Sequence, residues 1–194
     1  MVLSTGSSKI KTAIFISGTG SNLKNLIKFS LKKNSPIKVS LIISNSARAR
    51  GLRYAKIYNI QSKIYNYNKK MISEKKTLKD LKLNNIRLIC LAGFMKILSK
   101  NFIKKFNGRI LNIHPSLLPK YKGLNTHERV IKNKEKYSGC TVHIVNSNLD
   151  SGKIVLQKKV KLSKNETPSS LKKKILKYEH KLYPKAVGKL FANL

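Results

Sequence analysis

Cysteine, long apolar runs and signal-like segments are scarce or missing in this chain of 194 residues. The two cysteines, Cys90 and Cys140, stand alone in predicted strands, and neither has the spacing of a metal site. We therefore expect two reduced core thiols and no bound metal. No apolar run reaches the length of a membrane span, and the first residues lack the hydrophobic stretch of a secretory signal. These absences predict a cytoplasmic protein with no dedicated membrane partner.

Acidic residues are also rare. There are seven of them against 42 lysines and arginines, so the formal net charge is +35. Such a charge suits nucleic acid, a membrane surface or anionic small molecules. Only six of the basic residues are arginine, the residue best suited to base edges and phosphates, and the lysines are spread through every segment. This pattern favours a compositional bias on solvent-exposed faces over a dedicated nucleic-acid partner, although attraction of anionic partners stays open.

Internal repeats and an interdomain linker are absent too, which predicts one domain over residues 1–194 with a loose leader at residues 1–10. Apolar strands alternate with amphipathic helices, as in a doubly wound, mostly parallel α/β sheet. The last two strands have no helix between them, so we expect an antiparallel pair before a long C-terminal helix. The predicted strands are Lys11–Ser17, Ile37–Ser44, Gln61–Tyr67, Arg87–Ala92, Arg109–His114, Gly139–Val145 and Lys153–Val160. The predicted helices are Asn22–Lys33, Ala47–Tyr58, Lys69–Lys82, Ser99–Phe106, Thr126–Lys136 and Thr167–Phe191.

The glycine-rich loop Gly18–Asn22 joins the first strand to the start of a helix, where free backbone N–H groups and the helix dipole favour a phosphate. It is not a complete dinucleotide motif, because Leu23 occupies the third glycine position and no acidic residue follows the second strand. A single phosphate on a smaller molecule is the expected ligand. A tight turn without a ligand explains the loop equally well.

Two polar side chains alternate with apolar residues at the end of the fifth strand. Asn112 and His114 therefore point to the same face, and Pro115 favours an extended backbone at His114. An amide donor beside an imidazole suits oxyanion stabilisation and proton transfer. Asp150, in a loop flanked by glycine, can orient His114 and raise its pKa. The alternatives are a histidine that caps a strand and a plain Asp-x-Gly turn.

Four segments, in the same order along the chain, match a known family, and the similarity covers about Lys11–Pro184. They are Ser17–Asn22, Leu91–Leu98, Leu111–Tyr121, and Thr141–Val145 running into Leu149–Asp150. With them the chain resembles the phosphoribosylglycinamide formyltransferase family, which uses 10-formyltetrahydrofolate in purine biosynthesis. The resemblance implies the formyltransferase fold, with a Rossmann-like, mononucleotide-binding half at residues 11–108 and a catalytic, folate-binding half at residues 109–194. It also implies two anionic small-molecule substrates, no metal, and a monomer or homodimer.

The resemblance also implies a role for each matching residue. Asn112, His114 and Asp150 would be catalytic. Gly20, Ser21 and Asn22 would hold the phosphate of the ribonucleotide, and Glu179 would contact its ribose. The folate would be bound by Met95, Lys96, Ile97, Leu98, Asn112, Asn146, Ser147, Asn148, Leu149 and Asp150. In the implied reaction the substrate amine attacks the formyl carbon, and Asn112 and protonated His114 stabilise the oxyanion. Asp150 would keep His114 cationic, with an ordered water carrying protons.

Some positions depart from the family pattern. The region between Tyr67 and Leu88 is short, so the basic residue that meets the folate tail is not placed, and Lys75 or Lys76 is the candidate. Lys122 stands where proline is usual in the family, and Asn125 stands where histidine is common. Leu176 occupies a position where some relatives have a polar residue that contacts the substrate. The rival functions are a basic nucleic-acid-binding module, methionyl-tRNA formyltransferase and formyltetrahydrofolate hydrolase. We expect the length of the chain to exclude the last two, because each carries a further domain.

Overall fold

A mixed β-sheet is the frame of the protein in a computed structural model, which describes residues 9–191. Within that range the sheet has seven strands in the order β3-β2-β1-β4-β5-β6-β7. The first five strands pair in parallel, whereas β6 is antiparallel to β5 and β7 is antiparallel to β6. The strands are β1 (Ile10–Ile16), β2 (Ile37–Ser44), β3 (Gln61–Ile64), β4 (Leu88–Leu91), β5 (Arg109–His114), β6 (Tyr137–Ile144) and β7 (Ile154–Lys161).

Six α-helices of residues 9–191 cover the two faces of this sheet. They are α1 (Ser21–Ser30), α2 (Leu52–Ile57), α3 (Lys70–Leu83, after a 3-10 turn at Tyr67–Lys69), α4 (Lys100–Lys105), α5 (Thr126–Lys132) and α6 (Pro168–Leu190). Buried side chains of α1, α2, α5 and α6 form one core layer, and those of α3 and α4 form the other. The alternation of strand β1 explains the two layers, since Ile14 and Ile16 face the first while Ala13 and Phe15 face the second. The predicted doubly wound sheet, antiparallel pair and long C-terminal helix are thus confirmed.

Several predicted boundaries differ from the structure. The second helix begins at Leu52, not Ala47, because Ser44 and Ser46 form local turns by accepting the N–H groups of Ser46 and Arg48. The fifth helix ends at Lys132, since Lys134 adopts a left-handed conformation with φ 48° that a helix cannot continue through. The predicted leader lies mostly outside the described residues, and Ile10 already belongs to β1.

The long helix α6 is fixed to the strands that carry the candidate site. Tyr183 of α6 is fully buried, and its hydroxyl lies 3.0 Å from the carbonyl of Leu111 and 3.2 Å from that of Leu91. Thr167 caps the start of the helix, its hydroxyl accepting the N–H of Ser170. No helix of residues 9–191 has the length and apolar character needed to cross a membrane. Both cysteines are buried free thiols, as expected, and burial raises the pKa of Cys90 to about 12.

Candidate active site

Strand β5 places Asn112 and His114 at its carboxyl end, between parallel β4 and antiparallel β6. Asn112 lies opposite Leu91 on one side and His143 on the other, and His114 lies opposite Thr141. Pairing on both sides holds the backbone here rigid. Asn112 is half-buried and His114 is 5% exposed. The two side chains share a face, as their alternation in the sequence predicted.

Asp150 meets both of these side chains from the loop between β6 and β7. Its Oδ1 accepts from Asn112 Nδ2 at 3.4 Å, and its Oδ2 lies 3.3 Å from His114 Nδ1. The backbone N–H of Gly123 donates to the same Oδ2 at 2.9 Å. The carboxylate also fixes the amide of Asn112, because only the amide nitrogen can face it favourably. The three predicted catalytic residues therefore form one contact network.

The second ring nitrogen of His114 lies 2.8 Å from the carbonyl oxygen of Tyr121. Tyr121 has a left-handed backbone with φ 57°, which is uncommon for a bulky residue. Both nitrogens of the imidazole thus face acceptors, namely this carbonyl and the carboxylate of Asp150. Such surroundings give each N–H of a protonated ring a partner, whereas a neutral ring can satisfy only one acceptor.

Burial nevertheless has the largest effect on His114 and lowers its pKa below the ordinary value, although Tyr121 and Asp150 oppose it. The expectation that Asp150 keeps His114 cationic stays a prediction for the reaction, since burial favours the neutral ring and Asp150 opposes that effect. For Asp150, burial raises the pKa, but bonding to His143 and to the Gly123 N–H outweighs it, and the pKa is lowered overall. The directions of the two pKa shifts favour a neutral imidazole beside an ionised carboxylate.

His143 is a fourth member of the network that the sequence reasoning missed. Its Nε2 lies 3.2 Å from Asn112 Nδ2 and 3.6 Å from Asp150 Oδ1, and its Nδ1 lies 3.1 Å from the Ile144 carbonyl. The side chain is 2% exposed. An antiparallel register of β5 on β6 would have placed it, since residues directly opposite in such a pair share a face.

The predicted phosphate loop is a tight turn before α1. Gly20 has φ 73°, and a Cβ there would stand 2.6 Å from the Cα of Gly51, so no other residue fits without a shift. The Gly51 N–H donates to the Gly18 carbonyl at 2.9 Å and closes the loop against the start of α2. No side chain among the described residues caps α1, which leaves the N–H groups of Ser21 and Asn22 available to an anion.

Asn22 and Glu179, which are 157 residues apart in the chain, contact each other beside this loop. Asn22 Nδ2 donates to Glu179 Oε2 at 2.7 Å, and both side chains are buried. Burial raises the pKa of Glu179, and the Asn22 bond opposes this. Asn22 Oδ1 is buried without a hydrogen-bond partner in the described residues. The structure thus brings together the residues that the resemblance assigns to the ribonucleotide.

The predicted folate loop, Gly93–Leu98, follows β4. Met95 and Ile97 are 62% and 67% exposed, which is unusual for large apolar side chains beside a cleft. The side chain of Leu98 is 6% exposed and belongs to the core, so only its backbone faces the loop surface as a possible contact. Lys96 borders a cavity of about 400 Å³ whose other walls are Asn45, Ala47, Ile64, Asn66, Tyr67 and Asn68.

The second predicted folate segment, Asn146–Asp150, is a loop shaped by its first residue. Asn146 Oδ1 accepts from the Asn148 N–H at 3.0 Å and from the Ser151 hydroxyl at 3.3 Å. Ser147 lies in the same turn, and Leu149 is 51% exposed. Among residues 9–191, no group of three histidine, cysteine or acidic side chains is arranged to hold a metal ion.

Comparison with known proteins matches this chain and its fold to one family. The formyl transferase family model matches residues 10–187. The phosphoribosylglycinamide formyltransferase of Haemophilus influenzae is 40% identical over 177 residues, which cover 90% of this chain and 84% of the relative. The chain belongs to the phosphoribosylglycinamide formyltransferase family. The match extends from β1 into α6, so it includes every element of the network around Asp150.

Solved structures of the family have the same fold. The phosphoribosylglycinamide formyltransferase of Anaplasma phagocytophilum is 40% identical, has a TM-score of 0.88, and matches 93% of this chain and 85% of its own. Glycinamide ribonucleotide transformylase 1 of Symbiobacterium toebii is 32% identical, has a TM-score of 0.91, and matches 96% of this chain and 90% of its own. The human trifunctional purine biosynthetic protein adenosine-3 is 41% identical over 182 residues, and the chain spans only 18% of its length.

Proposed function

We propose that this protein transfers the formyl group of 10-formyltetrahydrofolate to the amine of glycinamide ribonucleotide in purine biosynthesis. The observation that carries the proposal is the contact of Asp150 with both Asn112 and His114 at the carboxyl edge of the sheet. Acyl transfer to an amine needs a donor for the oxyanion and a group that exchanges protons, and this network supplies both. Membership of the family supports the same reaction.

The ribonucleotide would bind between the glycine loop and α6. Backbone N–H groups of Gly20, Ser21 and Asn22 would hold its phosphate at the start of α1, where the helix dipole adds to the attraction. The buried carboxylate of Glu179, already oriented by Asn22, would accept hydrogen bonds from the ribose hydroxyls. Asn22 Oδ1, which has no hydrogen-bond partner within residues 9–191, offers one more acceptor at the same place.

The folate would lie between the Gly93–Leu98 loop and the Asn146–Asp150 loop. Met95, Ile97 and Leu149 all expose apolar surface there, and a planar pteridine would remove that surface from water. This burial explains why the three side chains remain exposed in the protein without substrate. Backbone groups of Leu98, whose side chain faces the core, would complete the wall.

The anionic tail of the folate would meet Lys96. This lysine borders the 400 Å³ cavity next to the folate loop, whereas neither Lys75 nor Lys76 of α3 lines it. A flexible ammonium on the rim of an open cavity is well suited to a carboxylate that stays partly hydrated. We therefore propose Lys96 for this contact, while Lys75 and Lys76 stay the candidates from the sequence.

His114 would change its protonation state during the reaction. Burial lowers its pKa and favours a neutral ring at the start, and the ring would take up the proton that the attacking amine releases, through an ordered water. The protonated ring then has two acceptors, Tyr121 and Asp150, and stands near the developing oxyanion. Asn112 would donate its amide N–H to that oxygen, and His114 would return the proton to the departing nitrogen.

The test is to mix the purified protein with glycinamide ribonucleotide and 10-formyltetrahydrofolate and to follow the absorbance of the deformylated folate. We expect release of that folate only when the ribonucleotide is present. Release without the ribonucleotide would indicate a hydrolase, and no release would refute the proposal. Both proposed substrates are anionic small molecules. A cytoplasmic location and a monomeric or homodimeric state stay predictions.

A further inference from the structure

Glu74 is a buried carboxylate that the proposed mechanism does not use. It lies on α3, is 6% exposed, and has no cation among its hydrogen-bonding partners in residues 9–191. Burying a carboxylate without a counter-charge is costly unless hydrogen bonds satisfy it. Both of its oxygens accept hydrogen bonds from one residue, Ser99, so the role of Glu74 depends on what Ser99 holds in place.

The two contacts are short and complementary. The Ser99 N–H donates to Glu74 Oε1 at 2.8 Å, and the Ser99 hydroxyl donates to Oε2 at 2.5 Å. The same hydroxyl accepts the N–H of Phe102 at 3.0 Å, so Ser99 is also the N-terminal cap of α4. Hydrogen bonds to a charged group are the stronger ones, and a two-point contact fixes orientation as well as position.

Ser99 is the residue immediately after the folate loop. The other end of that loop is anchored to Ser17, whose N–H donates to the Gly93 carbonyl at 3.1 Å and whose hydroxyl accepts the Met95 N–H at 2.7 Å. Between these anchors the backbone N–H groups of residues 96–98 make no backbone hydrogen bond in the described structure. Hydrogen bonds therefore hold the loop at its two ends, through Ser17 and Glu74, while Phe94 and Leu98 pack into the core.

We propose that Glu74 is a positioning residue for the folate site, acting through Ser99 on the Gly93–Leu98 loop. This inference rests on the proposed function, because it assumes that the loop binds folate. With the carboxylate in place, Met95 and Ile97 are held in a fixed position beside the cleft before the substrate binds. A loop ordered in advance loses less conformational entropy on binding, so Glu74 contributes to folate affinity without touching the folate.

The experiment measures steady-state kinetics of the Glu74→Gln variant with each substrate varied in turn. The amide keeps one acceptor for the Ser99 N–H but places an NH₂ group against the Ser99 hydroxyl. We expect the KM for 10-formyltetrahydrofolate to rise about tenfold, with kcat changed less than about twofold. The KM for glycinamide ribonucleotide should stay unchanged, because its proposed site lies at α1 and α6.

Glu166→Gln is the matched control. Glu166 also accepts a serine hydroxyl at 2.5 Å at the start of a helix, that of Ser170, but none of its contacts in the described residues involves the folate loop. We expect this variant to lose thermal stability with an unchanged folate KM. If Glu74→Gln behaves in the same way, Glu74 is only structural and the inference is wrong.

Variants at Ser99 keep the inference testable should Glu74→Gln fold poorly. Ser99→Thr retains the hydroxyl and should keep the wild-type folate KM, whereas Ser99→Ala should raise it. The effects of Ser99→Ala and Glu74→Gln should not add in the double variant, because both remove the same contact. Additive effects would overturn the inference. Wild-type protein that transfers no formyl group would refute the proposed function instead, so the two failures are distinguishable.

Discussion

Replacing Asp150 by asparagine removes one negative charge from the centre of the site with almost no change in volume. The Gly123 N–H can still donate to the amide oxygen of the new side chain, so the loop should keep its conformation. The amide nitrogen then faces Asn112 Nδ2, which puts two donors together. Most importantly, a protonated His114 loses its carboxylate neighbour at the moment when the reaction creates the imidazolium.

The expected size of the effect comes from the 3.3 Å separation of His114 Nδ1 and Asp150 Oδ2. Two unit charges at this distance attract by about 1 kcal/mol in water and by about 5 kcal/mol at an effective dielectric constant of about 20. The side chain of Asp150 is 9% exposed, so the figure at the lower dielectric constant applies; the dipole of the substituted amide retains part of it, which leaves a loss of about 3 kcal/mol. A barrier higher by that amount lowers kcat about 10²-fold.

The assay combines kcat from steady-state kinetics with the dissociation constant of the ribonucleotide from calorimetry. We expect the affinity to stay nearly intact, because Asn22 and Glu179 do not contact Asp150. Asp80→Asn is the control, since it changes the only other aspartate of the chain by the same chemistry, on α3. Equal losses of binding and turnover, or a kcat within about threefold of wild type, would refute the role given to Asp150.

Four further predictions follow. The kcat/KM should fall as the pH drops through the lowered pKa of His114, because the free protein must supply a neutral ring; a pH profile of kcat/KM without this acid limb contradicts the prediction. Gly20→Ala, strained at φ 73° and crowded by Gly51, should lower the unfolding free energy by at least about 1 kcal/mol and weaken ribonucleotide binding by calorimetry. Glu166 has a pKa of about 2, below the ordinary 4.5, so its ionised form should contribute about 1–2 kcal/mol to the free energy of unfolding above pH 4.5. Urea unfolding should show that this contribution is lost as the pH falls from 4.5 to 2, and that the Glu166→Gln variant lacks it at pH 7. Finally, kcat/KM should fall as salt rises if the +35 charge attracts the anionic substrates, whereas a flat response would leave composition bias as the explanation.

Strands were the most predictable part of the fold. The bounds of β2 and β5 match the prediction because β-branched apolar residues recur through each segment and each strand ends at a polar residue, Ser44 and His114. Helix α2 was predicted too long because side-chain turns at Ser44 and Ser46 compete with helix formation. Helix α5 ended early for a similar local reason, the left-handed conformation of Lys134.

In the site, the sequence identified the right side chains but not their surroundings. The two-residue period of a strand was enough to predict that Asn112 and His114 point to the same face. Placing His143 and the Tyr121 carbonyl required the register of β5 on β6 and the path of the following loop, which residue spacing does not contain. The sign of the His114 pKa shift depended on how deeply the ring is buried, so the nearby carboxylate alone gave the wrong direction.

The most direct test of the central claim follows the formyl carbon itself. The protein is incubated with glycinamide ribonucleotide and 10-formyltetrahydrofolate carrying ¹³C in the formyl group, and the products are separated and examined by NMR and mass spectrometry. Direct transfer between the two substrates predicts that the label appears on the amine of the ribonucleotide in proportion to the folate consumed. Label recovered as formate, with the ribonucleotide unchanged, would contradict the account.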